Sequence, residues 1–302
     1  MTHLIVGAGQ IGRRLARHLA EIGRPVTLAS RSSVEAPGVS MVTVDASDQD
    51  ALTAIAQDAE IIYLTTSPSQ YHRWPELWPP ILSSVLAAAR GRKLVMMGNL
   101  YAYGRADMPM TEHSPLVPAD PKGEIRRDLW LRALEAHERG EVEAVEVRAS
   151  DYFGPGVERT AMLGARFFEP LLHDQSARVI GDVTMPHSWT YLDDIATTLM
   201  AAGDYRGEWG RAWHVPASAT MSCAAIADEV KEQYGGSGKV VAMPGGLLRA
   251  LSIVSPSLRA LRDSSYQFTS PFIIDATETS KLLRVEATPW PQALEATVAA
   301  YR

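Results

Sequence analysis

Residues 4–12 read LIVGAGQIG, an apolar run that enters a G-x-G-x-x-G turn and is followed by a helical pattern. Gly7 permits a tight turn, Gly9 lets backbone N–H groups approach a ligand, and Gly12 lets the helix pack closely on the strand. This order of strand, turn and helix surrounds an anion with backbone donors and a helix N-terminus. The segment therefore predicts a site for the pyrophosphate of a dinucleotide. Its expected cofactor contacts are Gly7, Gly9, Gln10, Ile11 and Gly12.

The first half of the chain alternates short apolar runs with helical patterns, which is typical of βαβ units. The predicted strands are 3–7, 25–29, 41–44, 60–65, 93–97 and 143–148, and the predicted helices are 11–22, 48–57, 77–90 and 123–139. Right-handed crossovers between six such strands predict an α/β fold with a doubly wound parallel sheet, the Rossmann fold.

The pattern changes at residues 152–156, whose sequence YFGPG favours a turn. Beyond it we expect a helix from about residue 192, a strand at 213–215, helices at 222–234 and 245–262, and a C-terminal helix with Thr288 as N-cap and Pro289 at its first position. The predicted dinucleotide-binding domain is 1–152, with 185–216 returning to it. The remaining segments, 153–184 and 217–302, predict a smaller, mostly helical substrate lobe.

Composition limits the classes of partner. The 302 residues are 46% hydrophobic, and 29 basic against 35 acidic residues give a net charge of −6 without a long Lys/Arg cluster. We therefore expect neither a nucleic acid nor an anionic membrane as a partner. The eight histidines form no H-x-x-H or H-x-x-x-H pair, so no metal site is predicted.

Cysteine usage and hydropathy predict a cytoplasmic location. Cys223 is the only cysteine, which fits a reducing compartment. The first predicted strand begins close to Met1 and leaves no room for a signal sequence. No apolar run reaches the roughly 18 to 20 residues of a membrane span.

The end of the second predicted strand bears on the choice of dinucleotide. Residues 28–32 read LASRS, without the carboxylate that accepts a hydrogen bond from a ribose 2′-OH. Arg31, with Ser30 and Ser32, instead supplies donors that suit a 2′-phosphate. The sequence therefore favours NADP(H) over NAD(H).

Two further strand ends carry expected cofactor contacts. Asp45 and Ala46 follow the third strand, where a side chain and a backbone amide are placed to meet the adenine. Aspartate is also a common turn residue at such a position. Thr65 and Thr66 follow the fourth strand, at the edge of the sheet that a dinucleotide crosses, and are expected on the nicotinamide side.

Several segments together carry a family resemblance. The glycine turn is followed by YAYG at 101–104, RASDYFGPG at 148–156 and WTYLDDIA at 189–196. In this order and spacing they resemble the extended short-chain dehydrogenase/reductase superfamily, and within it the NAD-dependent epimerase/dehydratase branch. The resemblance extends over nearly the whole chain. It implies an enzyme that acts on a small-molecule substrate, and a homodimer is typical of relatives.

The resemblance fails at the residues that carry the chemistry in such enzymes. They typically use a Ser before the Y-G element and a Tyr-x-x-x-Lys pair on a later helix. Here Asn99 stands at the Ser position, and Lys122 and Arg126 stand at the Tyr and Lys positions. The chain is thus an atypical member that lacks the Tyr-x-x-x-Lys pair.

Two interpretations of this replacement remain open. In one, Lys122 donates a proton to the substrate or polarises its carbonyl, with Asn99 bonded to the same oxygen. In the other, Lys122 and Arg126 hold the cofactor ribose and phosphates, and the acid is one of three tyrosines. These candidates are Tyr101, Tyr103 and Tyr152. The expected substrate contacts are Tyr71, Tyr152, His187 and Trp189.

Three functions are compatible with these residues. The leading hypothesis is an NADP(H)-dependent oxidoreductase that transfers hydride to or from a small carbonyl or hydroxyl compound. The first alternative is a nucleotide-sugar epimerase/dehydratase, which needs a base for a hydroxyl proton although the usual Tyr is absent. The second alternative is a non-catalytic NADP-binding sensor or scaffold.

Overall fold

A seven-stranded parallel sheet forms the centre of the first two thirds of the chain. The computed structural model describes residues 1–32, 37–105, 109–157, 161–244, 246, 252–253, 255, 259 and 262–302. Its strands are β1 (His3–Val6), β2 (Val26–Ser30), β3 (Ser40–Thr43), β4 (Ile61–Leu64), β5 (Lys93–Asn99), β6 (Glu143–Ala149), β7 (Tyr152–Phe153), β8 (Ala177–Val179), β9 (His187–Tyr191), β10 (Arg211–His214), β11 (Ala219–Met221) and β12 (Val240–Ala242). The large sheet has the order β10-β6-β5-β4-β1-β2-β3.

Helices cover both faces of this sheet. They are α1 (Gln10–Glu21), α2 (Gln49–Ile55), α3 (Trp74–Ala88), α4 (Pro121–Glu138), α5 (Ala165–Leu172), α6 (Leu192–Asp204), α7 (Cys223–Tyr234), α8 (Thr277–Leu283) and α9 (Trp290–Ala299). One face buries Leu15 of α1 beside Leu199 of α6, and the other buries Leu82 of α3 beside Leu129 of α4. The predicted doubly wound α/β fold is confirmed.

The strand order fixes where a cofactor site belongs. Neighbouring β1 and β4 are followed by crossovers that lead to opposite halves of the sheet, which makes their carboxyl ends the topological switch point. Gly7 follows β1 and Thr65 follows β4. In a fold of this kind, the crevice between two such strand ends is the usual binding place.

The six strands predicted for the first half are present with small shifts at their ends, and β10 adds a seventh at the edge beside β6. The second half contains more strand than expected. Two small sheets, β11-β9-β7 and β8-β12, lie with α5, α7 and α9 around a core that includes Phe168 and Trp189. Four of these strands, β7, β8, β11 and β12, have only two or three residues, which is too short to produce a clear alternating pattern. The division into two domains stays a prediction.

Helix ends depart from expectation where prolines lie. α3 begins at Trp74 rather than at 77, because Pro75 fits the first turn of a helix. α9 begins at Trp290 with Pro289 in the N-cap position, one residue later than predicted. The Thr288 hydroxyl does not cap α9 but donates to Asp194 at 2.6 Å.

Most of the helix predicted at 245–262 lies outside the described residues. No helix in the described segments is both long and apolar enough to cross a membrane.

Candidate functional site

In the glycine turn after β1, two of the glycines lie too close to other backbone atoms to carry a Cβ, whereas the third does not. Gly7 has a φ of +121°, and a Cβ there would overlap the backbone of Thr66. A Cβ on Gly12 would overlap the Gly7 carbonyl oxygen. A Cβ on Gly9 would meet no atom within 4 Å in the part of the chain that the structure describes. The first and third glycines are therefore required by packing, whereas the second keeps the space in front of the turn open.

The N-terminus of α1 faces this space with its backbone donors. Gly9 is the N-cap, no side chain among the described residues caps the helix, and the first turn carries no acidic residue. The Thr65 hydroxyl donates to the Gly7 carbonyl at 2.9 Å, so it supports the turn from β4. An uncapped helix N-terminus is attractive to an anion because of its unsatisfied N–H groups and its dipole. The donor set fits a dinucleotide pyrophosphate.

The end of β2 brings Arg31 near Asp45. The Asp45 carboxylate accepts hydrogen bonds from the Ser47 hydroxyl at 2.7 Å and the Ser47 N–H at 2.9 Å. These bonds lower the pKa of Asp45, and the charge of Arg31 lowers it further. Ser32 is exposed beside Arg31 at the edge of the sheet, and Ala46 is partly buried against the core. An exposed guanidinium is thus available at the position expected for a 2′-phosphate.

Lys122 lies in the first turn of α4 and is the cation that stands where relatives have a tyrosine. Only 6% of it is exposed, and its Nζ lies 4.8 Å from the ring centre of Tyr71 and 5.2 Å from that of Tyr101. Burial lowers the pKa of Lys122, and nearby carboxylates oppose that shift. They belong to Asp120, Asp263 and Asp151. The amine is therefore a desolvated cation between two aromatic faces.

Local sequence accounts for this arrangement. Asp120 is the N-cap of α4, and its Oδ1 accepts the Gly123 N–H at 2.8 Å. A Cβ at Gly123 would overlap the Tyr101 carbonyl oxygen, so this glycine allows the turn at 101–103 to pack against α4. The Tyr101 N–H donates to Asn99 Oδ1 at 3.2 Å, which commits that amide oxygen to the turn. Burial also raises the pKa of Tyr101 well above its usual value.

Arg126 lies one helical turn beyond Lys122 and holds several elements together. Its guanidinium carbon is 4.9 Å from the ring centre of Trp74 and 4.7 Å from that of Trp78. Nη1 donates to the Met97 carbonyl at 3.3 Å, and Nη2 donates to Ser67 Oγ at 3.4 Å. Within the described segments its buried Nε has no hydrogen-bond partner. Arg126 thereby joins α3, the end of β5 and the loop after β4.

Tyr103 lies in a buried network away from Lys122. Its hydroxyl accepts from Arg148 Nη1 at 2.6 Å and is 2.7 Å from His214 Nε2. The side chain is fully buried, and this burial raises its pKa to about 12. These contacts favour a structural role for Tyr103 over the acid–base role expected as one alternative.

The expected substrate contacts differ in accessibility. Tyr71 is 42% exposed, and Tyr152 is half-buried in β7. Trp189 is fully buried, and its indole donates to the Met221 carbonyl at 3.0 Å, which favours a role in packing. His187 is also buried, but its Nε2 is 3.0 Å from Asp151 Oδ2.

Asp151 was not predicted as a site residue. It lies two residues after the end of β6, at the carboxyl edge of the sheet, and the signal that was available is an acid at this edge.

Comparisons with known proteins agree with this architecture. A model of the NAD dependent epimerase/dehydratase family matches residues 3–215. UDP-glucose 4-epimerase from Thermotoga maritima is 18% identical, with a TM-score of 0.78 over 100% of this chain and 99% of that one. UDP-glucuronic acid 4-epimerase from Bacillus cereus, solved with NAD, is 16% identical with a TM-score of 0.77, covering 100% of both chains. dTDP-glucose 4,6-dehydratase from Bacillus anthracis, also solved with NAD, is 14% identical with a TM-score of 0.80 over 100% and 96%. The sequence matched no curated protein. At these identities the structural likeness establishes the fold.

Proposed function

Because the chain belongs to the NAD dependent epimerase/dehydratase family, we propose that it is an NADP(H)-dependent oxidoreductase acting on a small carbonyl or hydroxyl compound. The family is one of enzymes that use a nicotinamide dinucleotide, which speaks against a sensor or scaffold. When bound, the dinucleotide supplies or accepts hydride. The residues of the chain must bind the dinucleotide, orient the substrate and stabilise the charge on the reacting oxygen.

The cofactor is held at two places in this proposal. Gly9 and the N-terminus of α1 receive the pyrophosphate, because the turn is open there and the helix has no side-chain cap. Arg31, with Ser30 and Ser32, receives the 2′-phosphate. An arginine offers planar, paired donors that a phosphate accepts, whereas no carboxylate stands at the end of β2 for a 2′-OH.

The observation that carries the proposed chemistry is the burial of Lys122 between Tyr71 and Tyr101. An ammonium group that has already lost most of its water forms strong hydrogen bonds without further desolvation. We assign Lys122 to the substrate oxygen, where its charge stabilises the negative charge that develops during hydride transfer. Asn99 is the second candidate donor, through its amide nitrogen.

Lys122→Ala and Tyr103→Phe separate the two interpretations of the cleft. We expect Lys122→Ala to lower kcat at least about 100-fold, as is typical when a transition-state donor is removed. Tyr103→Phe is expected to lower stability with kcat nearly unchanged, since its hydroxyl lies in the buried network. Turnover is measured as NADPH oxidation with ethyl pyruvate and diacetyl as carbonyl probes. If neither variant alters turnover, or if only Tyr103→Phe does, the role of Lys122 is disproved.

A second candidate is favoured by what the solved relatives bind. One was determined with UDP-glucose, and others act on or bind nucleotide sugars. The epimerase/dehydratase reaction needs a base for a hydroxyl proton, and Lys122 stands where such enzymes have the usual Tyr. Conversion of UDP-glucose with catalytic dinucleotide, faster than reduction of the carbonyl probes, would establish the epimerase/dehydratase alternative instead.

A further inference from the structure

His187 is held in one orientation by an aromatic box. Its ring centre is 4.4 Å from that of Trp189, 5.0 Å from that of Phe268 and 5.2 Å from that of Phe272. The side chain is 3% exposed. Such packing on several faces prevents the ring from turning and excludes water from it.

Both ring nitrogens of His187 face oxygen atoms. Nδ1 is 3.2 Å from the Gln267 carbonyl, and Nε2 is 3.0 Å from Asp151 Oδ2 and 3.4 Å from Ser150 Oγ. A carbonyl can only accept, so Nδ1 carries a proton. A neutral imidazole donates through one nitrogen alone. The contact with Asp151 is therefore a hydrogen bond in which either the ring or the carboxyl group is the donor.

The two ends of this pair differ in exposure. The Asp151 side chain is 30% exposed, whereas His187 is enclosed, so the carboxyl group is the end of the pair that water or a substrate can reach. Asp151 also lies at the same sheet edge as the proposed reaction site, because Ala149 at the end of β6 pairs with Asn99 at the end of β5 and Asp151 follows two residues later. Burial dominates the pKa shifts of Lys122, Tyr101, Tyr266 and Cys223, and the charge of Asp151 contributes to each of them.

We propose that Asp151, positioned by His187, is the acid–base group that gives a proton to the substrate oxygen in reduction and takes it back in oxidation. The proposal rests on the hydride transfer proposed above. In the reduction, the substrate carbon would gain the hydride that a bound reduced dinucleotide supplies, the C=O π bond would break, and its electron pair would take the proton that Asp151 donates. The pair then regains one proton from water. Lys122 stabilises the oxygen throughout and keeps its own protons.

Kinetic variants test the two roles separately. With NADPH and the same two carbonyl probes, we expect Asp151→Asn to lower kcat about 100-fold or more, within the usual range for general acid–base groups. The KM should change less than about threefold, because the step lost is the proton transfer. Formate should restore part of the rate of Asp151→Ala. His187→Gln should reduce kcat by about 10-fold and alter the pH profile, because His187 acts through Asp151.

The exposed pair of His113 and Glu278, 2.7 Å apart, offers a matched control. His113→Gln removes the histidine that contacts Glu278 and leaves the residues proposed for the reaction unchanged. Its kcat and pH profile should therefore equal those of the wild type. A thermal double-mutant cycle of Asp151→Asn and His187→Gln supplies a readout without substrate, and we expect non-additive melting temperatures.

The outcomes distinguish the two proposals. A wild-type protein that oxidises no NADPH with either probe contradicts the proposed function and removes the basis of the inference. An active wild type whose Asp151→Asn variant keeps kcat within about threefold overturns the role of Asp151 alone. Additive melting temperatures overturn the pairing of Asp151 with His187.

Discussion

At the scale of single residues, the cleft depends on contacts between side chains that are far apart in sequence. The sequence placed Lys122 at the position where related enzymes have a tyrosine. It did not indicate that Tyr71 and Tyr101 would lie on either side of its amine, since these rings come from different loops. Asp151 and His187 were missed as a pair for the same reason, because 36 positions separate them and only β7 and β9 bring them together.

The glycine turn gives a residue-scale prediction. Gly9→Val should weaken NADPH binding at least about 10-fold while changing the melting temperature little, because its side chain would enter the open space where the pyrophosphate is proposed to lie. Gly12→Val is the matched comparison and should destabilise the fold, since its side chain would overlap the Gly7 carbonyl. Calorimetric titration and thermal unfolding measure both effects. Unchanged NADPH binding in Gly9→Val would place the cofactor elsewhere.

At the scale of elements, the strands and helices of the first half were predictable because apolar runs of four to seven residues alternate there with helical patterns. Caps were harder to assign. Thr288 and Pro289 looked like a helix start, yet the Thr288 hydroxyl binds Asp194 of α6, a tertiary contact that overrides the local pattern. The short strands β8, β11 and β12 depend on pairing partners, so their own sequences do not define them.

The N-cap of α4 connects an element to the chemistry. Asp120→Ala should lower the free energy of unfolding by about 1 to 2 kcal/mol, the range typical of a lost cap. It should also reduce kcat, since Lys122 follows in the first turn and loses a neighbouring carboxylate.

Asp48→Ala is the control for this variant, because Asp48 caps α2 with the same kind of bond at 3.0 Å. It should cost similar stability in urea unfolding and leave kcat unchanged. Equal kcat values for Asp120→Ala and Asp48→Ala would show that the α4 cap does not affect the reaction.

At the scale of the whole molecule, two adjacent acids in the first turn of α6 connect distant segments. Asp193 pairs with Arg14 at 3.3 Å and Arg17 at 2.8 Å of α1, whereas Asp194 accepts hydrogen bonds from Thr288 and Ser218. Acidic residues in a first helical turn interact favourably with the helix dipole, but this local rule identifies no partner for Asp193 or Asp194. Their partners lie up to 179 positions away, so only the folded chain identifies them.

We propose that the carboxyl edge of the large sheet binds NADP(H), with Arg31 at the 2′-phosphate. Calorimetric titration of the wild-type chain with NADPH and NADH, repeated on Arg31→Ala, measures this preference. We predict that NADPH binds at least about 10-fold more tightly than NADH, because a phosphate paired with a guanidinium contributes more than about 1.4 kcal/mol. This difference should disappear in Arg31→Ala. Equal or tighter binding of NADH by the wild type, or an unchanged preference in the variant, would contradict the account.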